Sequence, residues 1–456
     1  MNMTADADQK PTTYASKKGV IGWMFFDWAA QPYFTLIITF IFAPYFVAFV
    51  APNAVDGQVM WGNATAIAGI IIAILAPILG SISDLSGPRK PWIAFFSFLA
   101  IIGAAGLYWA VPADIGTTNT ILLTLGAFII ALIGVEFASV FTNAMMPSLV
   151  PRKEMGKLSG SGWALGYVGG VISLIIVLGF MSASAQTGKT MLGFTPILGL
   201  DAATHEGDRA AGPFSALWYL IFIIPLFLFT PDKKTNPGTK AKISEGLSNL
   251  WATIKGLPKR RSLSAFLFSS MLYRDGLNAL YAFGGIYAAT VLGLSIMQVG
   301  IFGILAAITG AMGAFFGGRM DAKFGPRPVV FISCWLLVAA CTLIVSTTQE
   351  VTLFVLPISS EGTPVLVFYL AGALIGAAGG SLQAASRTLL IDQVDKKDAT
   401  QAFGLYALTG RATSFIGPLA IAAVTAATQS QRIGITPVIA LLVLGAIGLF
   451  WVKEKG

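Results

Sequence analysis

The stretch Gly80-Ser-Ile-Ser-Asp84-Leu-Ser-Gly87-Pro88-Arg89-Lys90 returns later in the chain as Gly317-Gly-Arg-Met-Asp321-Ala-Lys-Phe-Gly325-Pro326-Arg327. Each copy lies between two long apolar runs, and the copies are roughly half a chain apart. A motif repeated at that distance in an apolar chain points to two similar halves, an arrangement of many secondary transporters. The halves match elsewhere. Asp27 is followed by Tyr33, and Asp275 by Tyr281, at the same spacing. Asn143-Ala-Met-Met-Pro-Ser-Leu and Gln383-Ala-Ala-Ser-Arg-Thr-Leu each end an apolar run.

The composition sets the environment. Of 456 residues, 55% are hydrophobic and 11% are charged, where a soluble domain carries about 25% charged residues. Such a chain cannot cover itself with polar surface and must face lipid. Backbone in lipid has to satisfy its own hydrogen bonds, which leaves helices or closed barrels. The apolar runs are about 20 residues long without alternation, so helices are expected. About twelve spans can be placed, near 20–49, 60–83, 91–112, 120–147, 158–182, 213–230, 263–292, 297–319, 328–347, 365–388, 401–427 and 433–452. The fold class expected is therefore an all-α membrane protein of two pseudo-symmetric six-helix halves. A cytoplasmic tail covers 1–19, the halves 20–230 and 263–456, and a cytoplasmic linker 231–262.

The net charge of +8 does not indicate nucleic acid, because the basic residues alternate along the chain. They fall before the first span and in every second loop (Lys17, Arg89, Arg152, Arg319, Lys396 and Lys453 among them). The intervening loops hold only Lys189, Arg209 and Arg432. This is the positive-inside pattern and places both termini in the cytoplasm. No cleavable signal peptide is read, since the first apolar run is long enough to be a span. In the linker, Ile243, Leu247, Leu250, Trp251 and Ile254 repeat at helical spacing among lysines and arginines. That pattern suits an amphipathic helix on the anionic inner leaflet, or equally one packed under the bundle.

Charges within spans are the functional pointers, because each costs about 2.5–3.5 kcal/mol at a helix centre even on the lenient scale. They are Asp27, Glu136, Arg274, Asp275, Arg387 and Arg411. Asp27, Gln31 and Thr35 share one helix face; Glu136, Ser139 and Asn143 share a second; Asp275 and Asn278 form a third. A central cavity lined by spans one, four, seven and ten would use all three stripes, together with Tyr33 and Gln383. Acids in a partly dry cavity can exchange protons with the medium, which makes Asp27, Glu136 and Asp275 coupling candidates. Arg387 or Arg411 could hold a solute carboxylate or phosphate. The competing reading is fixed ion pairing within the bundle, favoured slightly for Arg274 with Asp275. In the repeated motif, Gly80, Asp84, Gly87 and Arg89, and their counterparts Gly317, Asp321, Gly325 and Arg327, are candidate gating residues. Their acids can accept from a helix start and their arginines can pair with a carboxylate. The ladders Gly162/Gly166/Gly170 and Gly372/Gly376/Gly380 are small-residue faces for close helix contact.

Enzyme chemistry is not expected. The single histidine, His205, falls in a loop, and Cys334 and Cys341 sit in one apolar run, so no metal, cofactor or disulfide framework is expected. Ala183-Ser-Ala-Gln-Thr-Gly188-Lys189-Thr190 is a loose P-loop match, but it follows a span rather than a strand and is a chance match.

The doubled Gly-x-x-x-Asp…Gly-x-Arg motif with about twelve spans resembles the major facilitator superfamily. Phe26-Asp27-Trp28-Ala29, Ser161-Gly162-Trp163-Ala164-Leu165-Gly166-Tyr167-Val168-Gly169-Gly170, Asp275-Gly276 and Gln383-Ala384-Ala385-Ser386-Arg387 are similar to its branch that includes the autophagy-related vacuolar amino-acid effluxers. The resemblance implies alternating access by rocking of two halves and export of small solutes such as amino acids. The departures are Ala30 and Gln31-Pro32, where that branch usually has a small polar pair, and one extra residue between Asp321 and Gly325. The expected function is proton-coupled secondary transport of a small polar or zwitterionic solute. The expected partners are that solute, protons and the bilayer, for a monomer in a bacterial inner membrane. The alternative is a non-transporting sensor or scaffold that docks partners on the basic linker.

Overall fold

The computed structural model describes residues 14–52, 54–113, 116–232, 248, 251–252, 255–290, 296–348, 350–357, 362–413, 416–428 and 430–454. Most of the linker's helical repeat lies outside these residues, although Trp251 is described, exposed, with the Lys255 ammonium over its ring. Of the candidate site residues, the side chains of Asp84 and Arg411 also lie outside the description.

The chain is helical almost throughout. In the first half, span one comprises Lys17–Pro32 and a π-helical continuation from Tyr33 to Phe40, then shorter turns to Val50. Pro32 lacks the N–H that the regular ladder needs, and the wider turns begin directly after it. Span two is Ala54–Ser86, span three Lys90–Gly106, span four Thr118–Leu149, span five Arg152–Ile176 and span six Glu206–Phe222 with Ile224–Phe229. In the second half, span seven is Arg261–Thr290, span eight Ile296–Phe324, span nine Pro326–Val345 and span ten Thr363–Asp392. Span eleven is Ala399–Ala412 with Ile416–Thr428, and span twelve is Thr436–Gly448 with the turn Leu449–Trp451. Among the described residues, ten helices are long and apolar enough to cross a membrane; spans seven and eleven complete the expected twelve. A two-stranded hairpin pairs Val351–Thr352 with Leu356–Pro357 between spans nine and ten.

Three boundaries differ from expectation. The repeated motif is not mainly loop: Gly80 and Asp84 lie on span two, and Gly317 and Asp321 on span eight. Only at Gly87 (φ 92°) and Gly325 (φ 88°) does the chain leave the helix, in backbone conformations that only glycine adopts without strain. Span six starts at Glu206, earlier than its apolar run, because Glu206 and Asp208 suit the positive end of a helix. His205 is therefore not in a solvated loop. Its ring packs 3.9 Å from the Phe49 ring, and its Nδ1 lies 3.0 Å from Asp208 Oδ2.

Packing repeats between the halves. Span one packs on five as seven packs on eleven; three packs on four as nine packs on ten; two packs on four as eight packs on ten. The halves meet through two equivalent pairs, span five with span eight and span two with span eleven. Each half has a buried aromatic-rich interior, with Phe26, Phe128 and Phe137 in the first and Phe266, Tyr273 and Phe368 in the second. The outward faces keep large apolar side chains such as Phe98, Leu123 and Leu366 exposed. Water does not reward that surface and lipid does.

Candidate functional site

The central feature is an ion pair between the halves. The Arg387 guanidinium of span ten donates from both terminal nitrogens to the Asp27 carboxylate of span one, at 3.0 and 3.0 Å. Both side chains are largely buried, 7% and 13% exposed. The parallel two-bond geometry is the strong form of such a pair. Trp163 of span five lies 4.8 Å beneath the guanidinium, adding a cation–π contact. One turn further along span five, the Tyr167 hydroxyl accepts from Gln383 Nε2 of span ten at 3.1 Å. Tyr281 of span seven reaches the same hydroxyl.

The glycine ladder of span five makes this assembly possible. A methyl group on Gly162 would sit 2.7 Å from Asp27 Oδ2, and one on Gly170 would sit 2.6 Å from Thr35 Oγ1. The face Asp27–Gln31–Thr35 thus lies against a strip without side chains. Only glycine leaves room for a carboxylate between two helices there.

Several candidates are placed elsewhere. Tyr33 is buried with its hydroxyl donating to the Phe128 carbonyl at 3.3 Å, so it belongs to the interior of the first half. Asn143 Nδ2 donates to Ser139 Oγ at 3.3 Å, closing that stripe on itself, and Glu136 is half-buried one turn away. Arg274 does not pair with Asp275. Its guanidinium donates to the Tyr406 carbonyl at 2.8 Å and stacks 4.0 Å from the Tyr406 ring. Asn278 is exposed. The P-loop-like stretch forms a small bridge, Ala183 with Thr190, around Gly188.

At the end of the bundle that carries the basic loops, the halves are latched together. Arg89 is buried, and its Nε donates to Thr400 Oγ1 of span eleven at 2.9 Å. Gly80 lies against the Thr400 backbone, where a methyl group would approach the carbonyl oxygen to 2.7 Å. In the second copy, Asp321 is buried against Gly156 of span five, and Gly318 faces Gly156 and Gly160 backbone to backbone. Arg327 instead stays within its own half, donating to the Leu449 and Phe450 carbonyls at the end of span twelve. A further tie joins Arg152 to the buried Asp392 at 2.6 Å, and Ser159 Oγ donates to the Ala384 carbonyl at 2.7 Å.

Sequence reasoning missed two acids here. The Asp232 carboxylate, just past span six, accepts from the backbone N–H groups of Arg89 and Lys90 at the start of span three. Glu454, just past span twelve, accepts from the Arg327 N–H at the start of span nine at 2.7 Å. Each anion satisfies orphan donors at a helix N-terminus. The available signal was an acid directly after the last span of each half. Trp163 and Tyr167 were noted only as part of a segment that carries the family resemblance, and Arg152 only as a basic loop residue.

Duplicated halves, latched at one end and bridged at the centre by a buried ion pair, define the class: a multi-pass membrane transporter of the major facilitator fold. The fold aligns with the human organic anion transporter MFSD10 (TETRAN) at a TM-score of 0.70, 16% identity, and 97% and 100% coverage of the two chains. Residues 47–456 match the family described as vacuole effluxer Atg22 like, and the chain belongs to that family. It is 24% identical to the uncharacterized MFS-type transporter YxiO of Bacillus subtilis (strain 168), over 95% of this chain and 94% of that protein. It is 23% identical to the autophagy-related protein 22 of Cryptococcus neoformans, over 63% of this chain but only 51% of that protein. The chain thus spans about half the length of that fungal relative.

Proposed function

We propose that the protein is a secondary transporter that moves a small zwitterionic solute of the amino-acid class, coupled to protons. Its halves, 20–230 and 263–456, rock about the central pair. The observation that carries this reading is the Asp27–Arg387 pair between the halves, with Trp163, Tyr167 and Gln383 beside it. A zwitterion is the ligand class that replaces such a pair without leaving a charge unmatched: its carboxylate takes Arg387 and its ammonium takes Asp27. A buried ion pair loses about 3–5 kcal/mol when one partner is removed, so a ligand offering one charge would break the site and one offering both would not. The basic-loop end is taken as cytoplasmic, which makes the latched state outward-facing, and the branch resemblance favours export. Membership of the family supports a transporter rather than an enzyme, working as a monomer in the bacterial inner membrane.

The test is counterflow in proteoliposomes with a labelled mixture of the twenty L-amino acids. Wild type should exchange label for unlabelled mixture. Arg387→Ala should lose exchange by at least about a hundredfold, as expected when a buried pair of this worth is broken. Asp27→Asn should lose ammonium-bearing solutes preferentially. Full exchange in both variants would remove this site from the function. Deleting 243–254 should leave substantial flux, and its abolition would return the scaffold reading.

A further inference from the structure

Asp275 is a further acid within a span, and its surroundings differ from those of Asp27. It is 2% exposed, and neither carboxyl oxygen has a hydrogen-bond partner among the described residues. On its own span, Arg274 is the neighbouring charge, but its guanidinium is committed to the Tyr406 carbonyl and ring. Gly410 leaves room for it there, since a methyl group at that position would lie 2.5 Å from the guanidinium. Span twelve presents Leu441 and Leu442 beside Gly276, which are apolar. Span ten presents Ser386, which is bonded to the Tyr273 hydroxyl at 2.8 Å, and Arg387, which is bonded to Asp27. Span eleven presents Thr413 and the glycine at 417, near the Asp275 carbonyl; the Arg411 side chain is not described.

Thr413 is the polar neighbour on span eleven, and its hydroxyl donates to the Thr409 carbonyl at 3.0 Å. A buried carboxylate without a hydrogen-bond partner is costly, and taking up one proton removes that cost.

We propose that Asp275, beside Thr413, is the proton-carrying residue of this transporter, separate from the Asp27–Arg387 solute site. The proton binds the carboxyl in the latched state and leaves it when rocking brings this face of span seven to water. No covalent bond to the solute is involved. The assignment deepens the transport reading and rests on it for the flux result, whereas the spectroscopic result does not.

Two measurements test it. In infrared difference spectra of the purified full chain after a pH step, the C=O stretch of a protonated carboxyl should be present in wild type and absent in Asp275→Asn. Identical bands in both would overturn the assignment, whether or not any solute is moved. In proteoliposomes with the labelled amino-acid mixture, Asp275→Asn should retain counterflow within about twofold. It should lose the solute ratio of about ten that one pH unit supports at one-to-one coupling. Accumulation equal to wild type, or accumulation driven by a sodium gradient and not by pH, would also overturn it. Should Asp275→Asn fail to fold, Asp275→Glu should keep pH-driven accumulation with a displaced pH profile, and an unchanged profile would count against the proposal. Thr413→Val should move the infrared band, whereas a merely structural role would leave it in place.

Discussion

The two copies of the repeated motif hold the same residue types and use them differently. In the first copy the arginine crosses between the halves: Arg89 reaches Thr400 of span eleven. In the second copy the arginine stays at home, with Arg327 on the carbonyls ending span twelve, while Asp321 lies buried against span five. What the copies share is the capped helix start, Asp232 beneath span three and Glu454 beneath span nine. Duplication has thus preserved the local turn, which depends on neighbours in the same half. The contacts across the interface have diverged, because there each copy faces a different sequence.

That contrast yields predictions of decreasing size. The largest effect should come from filling the backbone-to-backbone contacts. Gly318→Leu and Gly80→Leu should each depopulate the latched state by about tenfold or more, given that overpacking costs about 1–3 kcal/mol. Cysteine accessibility at the basic-loop end reports this, and unchanged accessibility would mean that the two contacts do not hold the closure. Next, Arg89→Ala should open the same end, because a hydrogen bond to a charged group is worth about 1.5–3 kcal/mol. Arg327→Ala should instead lower the unfolding midpoint and leave accessibility alone. Equal behaviour of the two arginines would erase the distinction between the copies. Thr400→Val should reproduce Arg89→Ala at reduced size, with Arg89 still buried and lacking one acceptor. Smallest, Asp232→Asn and Glu454→Gln should each cost about 0.5–2 kcal/mol of stability, the usual worth of a helix cap. Thermal unfolding should show the pair alike, since this is the feature the copies share.

Some of the site was legible and some was not. Asp27, Gln31 and Thr35 share a face because 3.6-residue periodicity dictates it, and the ladder Gly162/Gly166/Gly170 announces a close helix contact. That these two strips meet each other follows from neither. Arg387 stood out as a charge within a span, but its partner lies in the other half, where several acids were equally available to reading. The adjacency of Arg274 and Asp275 suggested an ion pair. On a helix, however, neighbours in sequence point about 100° apart, and each side chain found a different surrounding. Tyr33, paired with Asp27 by the halves' common spacing, turns into the interior of the first half, because six residues along a helix of 3.6 per turn leave the two side chains about 120° apart.

By itself, the sequence determined that this chain lives in a membrane, crosses it as helices, and is built of two related halves. Those properties follow from composition, run length and repetition, which are additive along a chain. Only the tertiary structure decided which charges neutralise each other, which arginine bridges the halves, and which acid has no hydrogen-bond partner among the described residues. Those outcomes depend on contacts between residues hundreds of positions apart, and a buried charge takes its meaning from what stands opposite it.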